Sequence, residues 1–389
     1  MTGPPGPLLV VMPTLELGGA ERHATWLAVH ADRDRWEPRV LAFGDGPLRA
    51  ELAAAGVTVS VLPLPRGGRA VAAGAAVERA LRRIRPGLVS GHHILVEVAV
   101  RRALRRMPAV ERPPYLAWKH TYGHVGHRGL RERLFELATG GLVTRYGAVC
   151  HSQVRYLTGQ IGLPAQKIAV VPNAVPVPPS CPDRAATSEP TVLMTAAMRA
   201  DKDHALVLRA WPMVLAELPG ARLRLAGDGP ERRELERLAM RLGIADRVDF
   251  LGVRNDVERL LAASDLLVLA SHTVECFPYA VLEAMAAGRG VVSTGVAGLP
   301  ELVDDRLTGR LVAPREPVAL AAALVEGLGD GAAAAARWGV AGWRRASTVF
   351  PLAAWAGRVN ELLAEVAGVP GGSGSPGPQP RNPIPTRKS

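Results

Sequence analysis

Cysteine is scarce in this chain: 389 residues carry three, Cys150, Cys181 and Cys276. Their spacing fits neither a disulfide framework nor a metal-binding cluster, so the sequence reads as a reduced, cytoplasmic protein. Aromatic residues make up 4%, and none interleaves with the basic clusters, which argues against nucleic-acid binding through stacked bases. Although 48% of the residues are hydrophobic, no apolar run of membrane-spanning length is read. Met1 to Pro7 places no basic residue before the apolar Leu8 to Met12, so no secretory signal is expected.

Arginine is what the chain has in excess, and it gives most of the net charge of +11. Arg79, Arg82, Arg83 and Arg85 form one cluster, and Arg101, Arg102, Arg105 and Arg106 another, both on amphipathic, helix-like patterns. A solvated face accounts for such clusters, and contact with an anionic membrane surface is the alternative.

The length suggests two domains. Short apolar runs alternate with helical patterns. In the first half they are Leu8 to Met12, Arg39 to Phe43, Thr58 to Leu62, Gly87 to Ser90, Tyr115 to Trp118, Ala148 to Cys150 and Ile168 to Val171. In the second half they are Val192 to Ala196, Arg222 to Ala226, Arg247 to Leu251, Leu266 to Ala270 and Gly290 to Thr294. Such alternation implies βαβ units, hence an α/β fold with two doubly wound, Rossmann-like parallel sheets. Val318 to Arg337 and Pro351 to Val366 read as closing helices. The expected plan is a first domain over 1–175, a proline-rich linker over 176–190 and a second domain over 191–345. A last helix over 346–369 follows, and then a tail, 370–389, too poor in apolar residues to fold.

The stretch Ser271 to Gly290, SHTVECFPYAVLEAMAAGRG, concentrates the strongest signals. Pro278 suits a helix start, where its missing N–H would have had no partner. Leu282, Met285 and Ala286 recur at helical spacing, and Gly288 suits the left-handed position beyond the end. Strand, loop and helix then leave the first-turn amides around Phe277, Tyr279 and Ala280 at the carboxyl edge of the sheet, where anions are attracted. Glu275 and Glu283 flank that end. The combination suits a ligand with both phosphate and hydroxyls, such as a nucleotide sugar.

Glu275 and Glu283, with seven residues between them, resemble the E-x7-E motif of the retaining glycosyltransferases of family 4, which have the GT-B fold. The surrounding ECFP and LEAMAAG are similar to that family's E-G-F-P and L-E-A-M-A-x-G. Cys276 stands where the family has glycine; it reads as a small replacement, or as a reactive thiol beside Glu275. The resemblance implies two domains facing across a cleft, with the last helix crossing back to the first. It implies that Lys202 holds the donor diphosphate as a catalytic cation. Ala197 departs from the family's arginine five positions before that lysine, and Arg199 is the candidate substitute. Gly227 and Gly229, in GDGP, resemble the turn facing the nucleotide, and Gly252 lies in the segment that reads the base. Glu283 is expected on the ribose hydroxyls, and Glu275 with Phe277, Pro278 and Tyr279 on the transferred sugar. Gly18 and Gly19, in LGGAER, resemble the family's glycine loop that approaches the donor. His120 matches the histidine near the reacting sugar, with a hydrogen-bonding role. His92 and His93 could line the acceptor pocket, or cap and pack. Asn173-Ala174-Val175 stands where relatives have N-G-V. His120, His124 and His127 lack a nearby acid or cysteine to complete a ligand set, so neither a metal nor another cofactor is expected.

The resulting expectation is a metal-independent retaining glycosyltransferase. It would move a hexose or N-acetylhexosamine from a nucleotide-diphosphate sugar, UDP-linked first, to a hydroxyl of a glycan, lipid or small metabolite such as an aminoglycoside. Two other readings are a sugar-nucleotide epimerase on the same architecture and a catalytically silent module that binds sugar nucleotides or membrane. Oligomeric state is not legible.

Overall fold

The computed structural model describes residues 6–64, 69–122, 127–184, 189–273 and 275–369. Seven strands make the first sheet: β1 (Gly6–Met12), β2 (Trp36–Ala42), β3 (Thr58–Val61), β4 (Leu88–His92), β5 (Tyr115–Lys119), β6 (Arg145–Ala148) and β7 (Ile168–Val170). Six make the second: β8 (Thr191–Thr195), β9 (Arg222–Ala226), β10 (Val248–Gly252), β11 (Leu266–Leu269), β12 (Gly290–Thr294) and β13 (Gly309–Val312). The helices between strands of the first half are α1 (Gly19–Val29), α2 (Leu48–Ala54), α3 (Arg69–Ile84), α4 (Ile94–Arg105), α5 (His127–Thr139) and α6 (His151–Tyr156). Those of the second are α7 (His204–Glu217), α8 (Arg232–Arg241), α9 (Val257–Ala262), α10 (Tyr279–Ala286) and α11 (Leu299–Leu302), followed by α12 (Pro317–Val349) and α13 (Leu352–Ala367).

Every strand pairing is parallel. Parallel strands need crossover helices, which cover both faces and leave the strands apolar throughout. From Leu8 to Met12 no residue is more than 1% exposed. The orders β3-β2-β1-β4-β5-β6-β7 and β10-β9-β8-β11-β12-β13 reverse direction between β1 and β4 and between β8 and β11. Loops at the carboxyl ends of those four strands splay apart and form the crevices where such sheets take ligands.

Several elements differ from the sequence reading. β6 lies at Arg145–Ala148 rather than Ala148 to Cys150, because Arg145 looks too polar for a strand. Its guanidinium escapes the sheet and pairs with the Gln166 carbonyl and Glu365. β13 is an edge strand of four residues, too short and too polar to stand out. α12 runs through the expected end at Arg337 and past the 345 boundary. It joins two helices across a break at Gly329–Ala332, where Asp330, Gly331 and Ala332 have positive φ. Taken as one element α12 has the length and composition of a membrane-crossing helix, with a mean hydropathy of 1.4 over its best window, but half of that window is buried and the break divides the element. The sequence reading found no such run, because alanine and glycine rather than large apolar residues supply it. Arg101 departs from its cluster: it is 1% exposed and binds Glu97 at 2.7 Å and Glu136 at 2.7 and 2.9 Å. Lys119 joins the same two acids, so this arginine is a core ion-network member and not part of a solvated face.

α13 returns to the first half, burying Trp355, Val359, Leu362 and Leu363 in the core that holds Leu8, Val10, Leu27 and Trp118. The outgoing and returning chains touch: Val175 N–H donates to the Phe350 carbonyl at 3.3 Å, and Leu352 N–H to the Val175 carbonyl at 3.1 Å. The 370–389 tail and His124 lie outside the described residues.

Candidate functional site

Because β8 and β11 are neighbours, the loops that follow them meet. Lys202, on the turn Ala200–Lys202 after β8, forms an ion pair with Glu275, on the loop after β11. The Glu275 carboxylate is 8% exposed and also accepts from Ser271 Oγ at 2.8 Å. Its carbonyl accepts from Gly298 N–H at 2.8 Å. A carboxylate so deep needs a cation beside it, and Lys202 supplies one. Arg199 is not part of the pair. Its guanidinium is held by Asp201 at 2.9 and 2.7 Å, and its side chain is 57% exposed.

Gly227 and Gly229 press the turn after β9 against the end of β8. A Cβ at Gly227, whose φ is +143°, would lie 2.0 Å from the Ala196 carbonyl oxygen, and one at Gly229 would lie 2.4 Å from that of Met198. Gly227 N–H donates to the Gly252 carbonyl at 2.7 Å. Together these glycines make a close-packed floor of backbone beside Lys202, on which Ala197 also sits.

α10 begins after Pro278, whose extended backbone (φ −70°, ψ 131°) sets the helix entry. Among the described residues the amides of Tyr279 and Ala280 have no backbone acceptor, as expected of a first turn. Phe277 is buried, and its carbonyl accepts from Asn173 Nδ2 at 2.7 Å. Glu283, on the same helix, is half-buried and has no hydrogen bond to its carboxylate among the described residues. Burial pushes its carboxyl above the usual range, and Arg22 pulls it partly back. The first half comes up against this helix directly. A Cβ at Gly19 would lie 3.5 Å from the Tyr279 ring, and Trp26 meets that ring edge-on with centroids 5.4 Å apart. Gly18 precedes it in an extended conformation, φ −151°. Thus the glycine loop after β1, the floor after β8 and β9, and the start of α10 converge, with Lys202, Glu275 and Glu283 among them.

His120 follows β5 and hydrogen-bonds through Nε2 to His92 Nδ1 at 3.0 Å; His92 Nε2 in turn meets Ser90 Oγ at 3.1 Å. His23, from α1, packs beside both and over Trp118, 4.2 Å between centroids. Burial pushes all three imidazoles down, His120 to about 3 and the others well below 6.5. All are therefore neutral near pH 7. Their ring nitrogens lie within 4.8 Å of one another, which makes them the set of residues that could hold a metal ion. His92 and His120 already spend one nitrogen each on the other, and no carboxylate belongs to the set. His93 caps α4, accepting from Leu95 N–H at 3.3 Å with φ +93°.

Sequence reasoning missed the residues that join the halves. Glu301 accepts from His151 and Ser152 N–H at 2.8 and 2.6 Å, and Asn173 grips Phe277. A cavity of about 460 Å³ between the halves is lined by Tyr122, Ser152, Arg155, Tyr156 and Gln160 from the first and Thr273 and Ala297 from the second. Of the cavity residues only Thr273 falls in a motif stretch, Ser271 to Gly290, and only β-sheet topology brings the set together. Asn173 alone carried a signal, its place before the linker.

The pattern described as Glycosyltransferase Family 4 matches residues 17–177, and that described as Glycosyl transferases group 1 matches residues 189–330. The chain is 34% identical over 179 residues, 45% of its length, to the exopolysaccharide phosphotransferase SCO2592 of Streptomyces coelicolor. It is 43% identical over 105 residues, 27% of its length, to the N-acetyl-alpha-D-glucosaminyl L-malate synthase of Bacillus anthracis. These matches span 19% and 27% of the two relatives' own lengths. The crystal structure of Anabaena Alr3699/HepE in complex with UDP-glucose superposes with a TM-score of 0.79 at 22% identity, covering 93% of this chain and 99% of that one. That likeness shows the same two-sheet fold, GT-B.

Proposed function

From the premise that the chain belongs to glycosyltransferase family 4, the group 1 glycosyltransferases, we propose that it is a retaining, metal-independent sugar transferase. It takes a hexose or N-acetylhexosamine from a UDP-linked donor and attaches it to an acceptor hydroxyl. One observation carries the reading: the Lys202–Glu275 pair lies at the β8/β11 crevice, with Glu275 on the loop that leads into α10, whose Tyr279 meets Gly19 of the opposite half.

In this mechanism the donor diphosphate draws Lys202 from Glu275 and lies over the glycine floor toward the α10 amides. Fixed positive charge there stabilises the pyrophosphate as the sugar bond breaks. The freed Glu275 meets the sugar, and Glu283, which has no hydrogen bond to its carboxylate among the described residues, accepts the ribose hydroxyls. His120 is neutral, and its Nε2 is tied to His92, so Nδ1 remains to hydrogen-bond a sugar hydroxyl. The acceptor hydroxyl then attacks from the face the pyrophosphate leaves, its proton passing to the departing phosphate oxygen. The interdomain cavity beside Tyr122 and Ser152 is the acceptor's approach. The partner side of the proposal includes a peripheral contact with an anionic membrane surface in the cytoplasm. It is supported by α5, which exposes Leu130, Leu134 and Leu137 beside Arg131 and Arg133.

A donor–acceptor screen read by product mass spectrometry tests the reading, with UDP-glucose and UDP-N-acetylglucosamine first. Transfer with retained anomeric configuration, unaffected by a chelator, is expected. Interconversion of the UDP-sugar without acceptor would instead make the protein an epimerase. UDP binding without transfer to any acceptor would make it a silent binding module.

A further inference from the structure

Cys150 and Cys276 come from opposite halves of the molecule. Cys150 ends the segment after β6 and caps α6; Cys276 follows Glu275 in the loop before α10. Their side chains share one buried cluster, 0% and 5% exposed. Three neighbours fix the approach. Gln153 Nε2, on the turn after Cys150, donates to Cys276 Sγ at 3.6 Å. A Cβ at Gly298 would lie 1.7 Å from the Cys276 carbonyl oxygen and 3.0 Å from Cys150 Sγ, so only glycine lets the two cysteine segments close on one another. Ser152 Oγ lies 3.3 Å from Cys150 Sγ and lines the interdomain cavity, so a small molecule in that cavity comes within one side chain of the sulfur. Cys181 is elsewhere, where a Cβ at Gly288 would lie 2.7 Å from its sulfur.

We propose that Cys150 and Cys276 are a peroxide-sensitive thiol pair whose disulfide staples the two domains together beside Glu275. The two thiols are chemically unequal. Hydrogen bonding to Cys276, with help from Ser152, brings the Cys150 thiol down to about 7, while burial pushes Cys276 well up. Cys150 is therefore the attacking partner and Cys276 the resolving one. The Cys150 thiolate attacks one oxygen of hydrogen peroxide, the O–O bond breaks, and hydroxide leaves; the cysteine becomes a sulfenic acid. The Cys276 sulfur then attacks the Cys150 sulfur, the S–O bond breaks, and the hydroxyl departs as water with the Cys276 proton. Two thiols and one peroxide give one disulfide and two waters. The bond joins the first half to the loop that carries Glu275, so the halves can no longer part across the cleft. The pairing stands apart from the transfer reading; only its effect on turnover rests on that reading.

The experiment treats the full chain with hydrogen peroxide, blocks remaining thiols with N-ethylmaleimide, and maps peptides by mass spectrometry. A loss of two hydrogens is expected in the intact mass before blocking and a single maleimide, on Cys181, after it, with a linked Cys150–Cys276 peptide. The link should revert with dithiothreitol and be absent from Cys150→Ser and Cys276→Ser. Hydrogen exchange around residues 175–177 and 350–352 should slow in the oxidised protein. Transfer should fall at least tenfold and recover on reduction, and Cys276→Gly should lose the peroxide sensitivity. A link to Cys181, or oxygen added at Cys150 with no link, overturns the proposal. A correct link in a protein with no turnover in either state sustains the thiol pair and overturns the transfer reading.

Discussion

Acidification should cost this protein stability through its buried imidazoles, and His23 is the residue on which to measure it. His23 is 0% exposed, neither ring nitrogen has a partner among the described residues, and burial holds its titration well below 6.5. The unfolded chain takes up a proton near pH 6.5 that the folded chain refuses. The neutral form's advantage is therefore complete above that pH and is lost as pH falls toward the folded value. At pH 5.5 each such histidine costs about 1.4 kcal/mol, and His23, His92 and His120 together about 4 kcal/mol, a large part of a typical domain's ~5–15 kcal/mol. His204, pushed down to about 4, adds to the background, so a difference experiment is needed. His23→Phe removes two unpartnered nitrogens and keeps a ring against Trp118 and Trp355. Urea unfolding at pH 7.5, 6.5 and 5.5 should show the variant as stable as the parent at pH 7.5, or more so. Its loss by pH 5.5 should be smaller than the parent's by about 1.4 kcal/mol. Identical pH dependence in the two proteins would refute the reasoning, because His23 would then be accepting its proton in the folded state.

Three further outcomes follow from the geometry. Lys202→Ala should slow transfer about 10²- to 10³-fold, the typical loss of one fixed oxyanion partner; steady-state kinetics with unchanged turnover would remove Lys202 from the mechanism. Glu283→Gln should weaken UDP binding by roughly 1.5–3 kcal/mol, as for hydrogen bonds to a charged group, while His120→Ala lowers turnover and leaves UDP affinity alone. Titration calorimetry that finds equal affinity in both variants contradicts the assignment. Arg101→Leu leaves Glu97 and Glu136 buried with Lys119 as their main cation and should cost about 3–5 kcal/mol; a urea midpoint that barely moves would mean the acids protonate without penalty.

The strands were legible where burial on both faces left continuous apolar runs, as in Leu8–Met12 and Leu266–Leu269. They were misread where a long polar side chain opens a strand and leaves the sheet, as Arg145 does, or where four residues suffice, as at Gly309–Val312. The motifs located the loops after β1 and β9 because a backbone pressed against backbone demands glycine, and glycine shows in a sequence; those after β8 and β11 showed through Lys202 and the Glu275–Glu283 spacing. The His23–His92–His120 cluster was not legible as a unit. Its members lie on α1, β4 and the loop after β5, and no spacing records that these elements share a switch point. Ion pairing was equally hidden. Whether Arg199 faces a ligand or Asp201, or whether Arg101 faces water or two acids, depends on which way a helix or turn is rolled, and composition does not say.

The contact between Val175 and the chain at Phe350–Leu352 makes the second half a parenthesis within the first domain, opened and closed at one point. Everything between those brackets is joined to the host by two adjacent chain crossings, while α13 keeps its seat in the first core. Such a layout is modular: a different insert could be spliced in at the same two positions without unmaking the host's core. Donor preference and acceptor preference would then be free to diverge as separate cassettes.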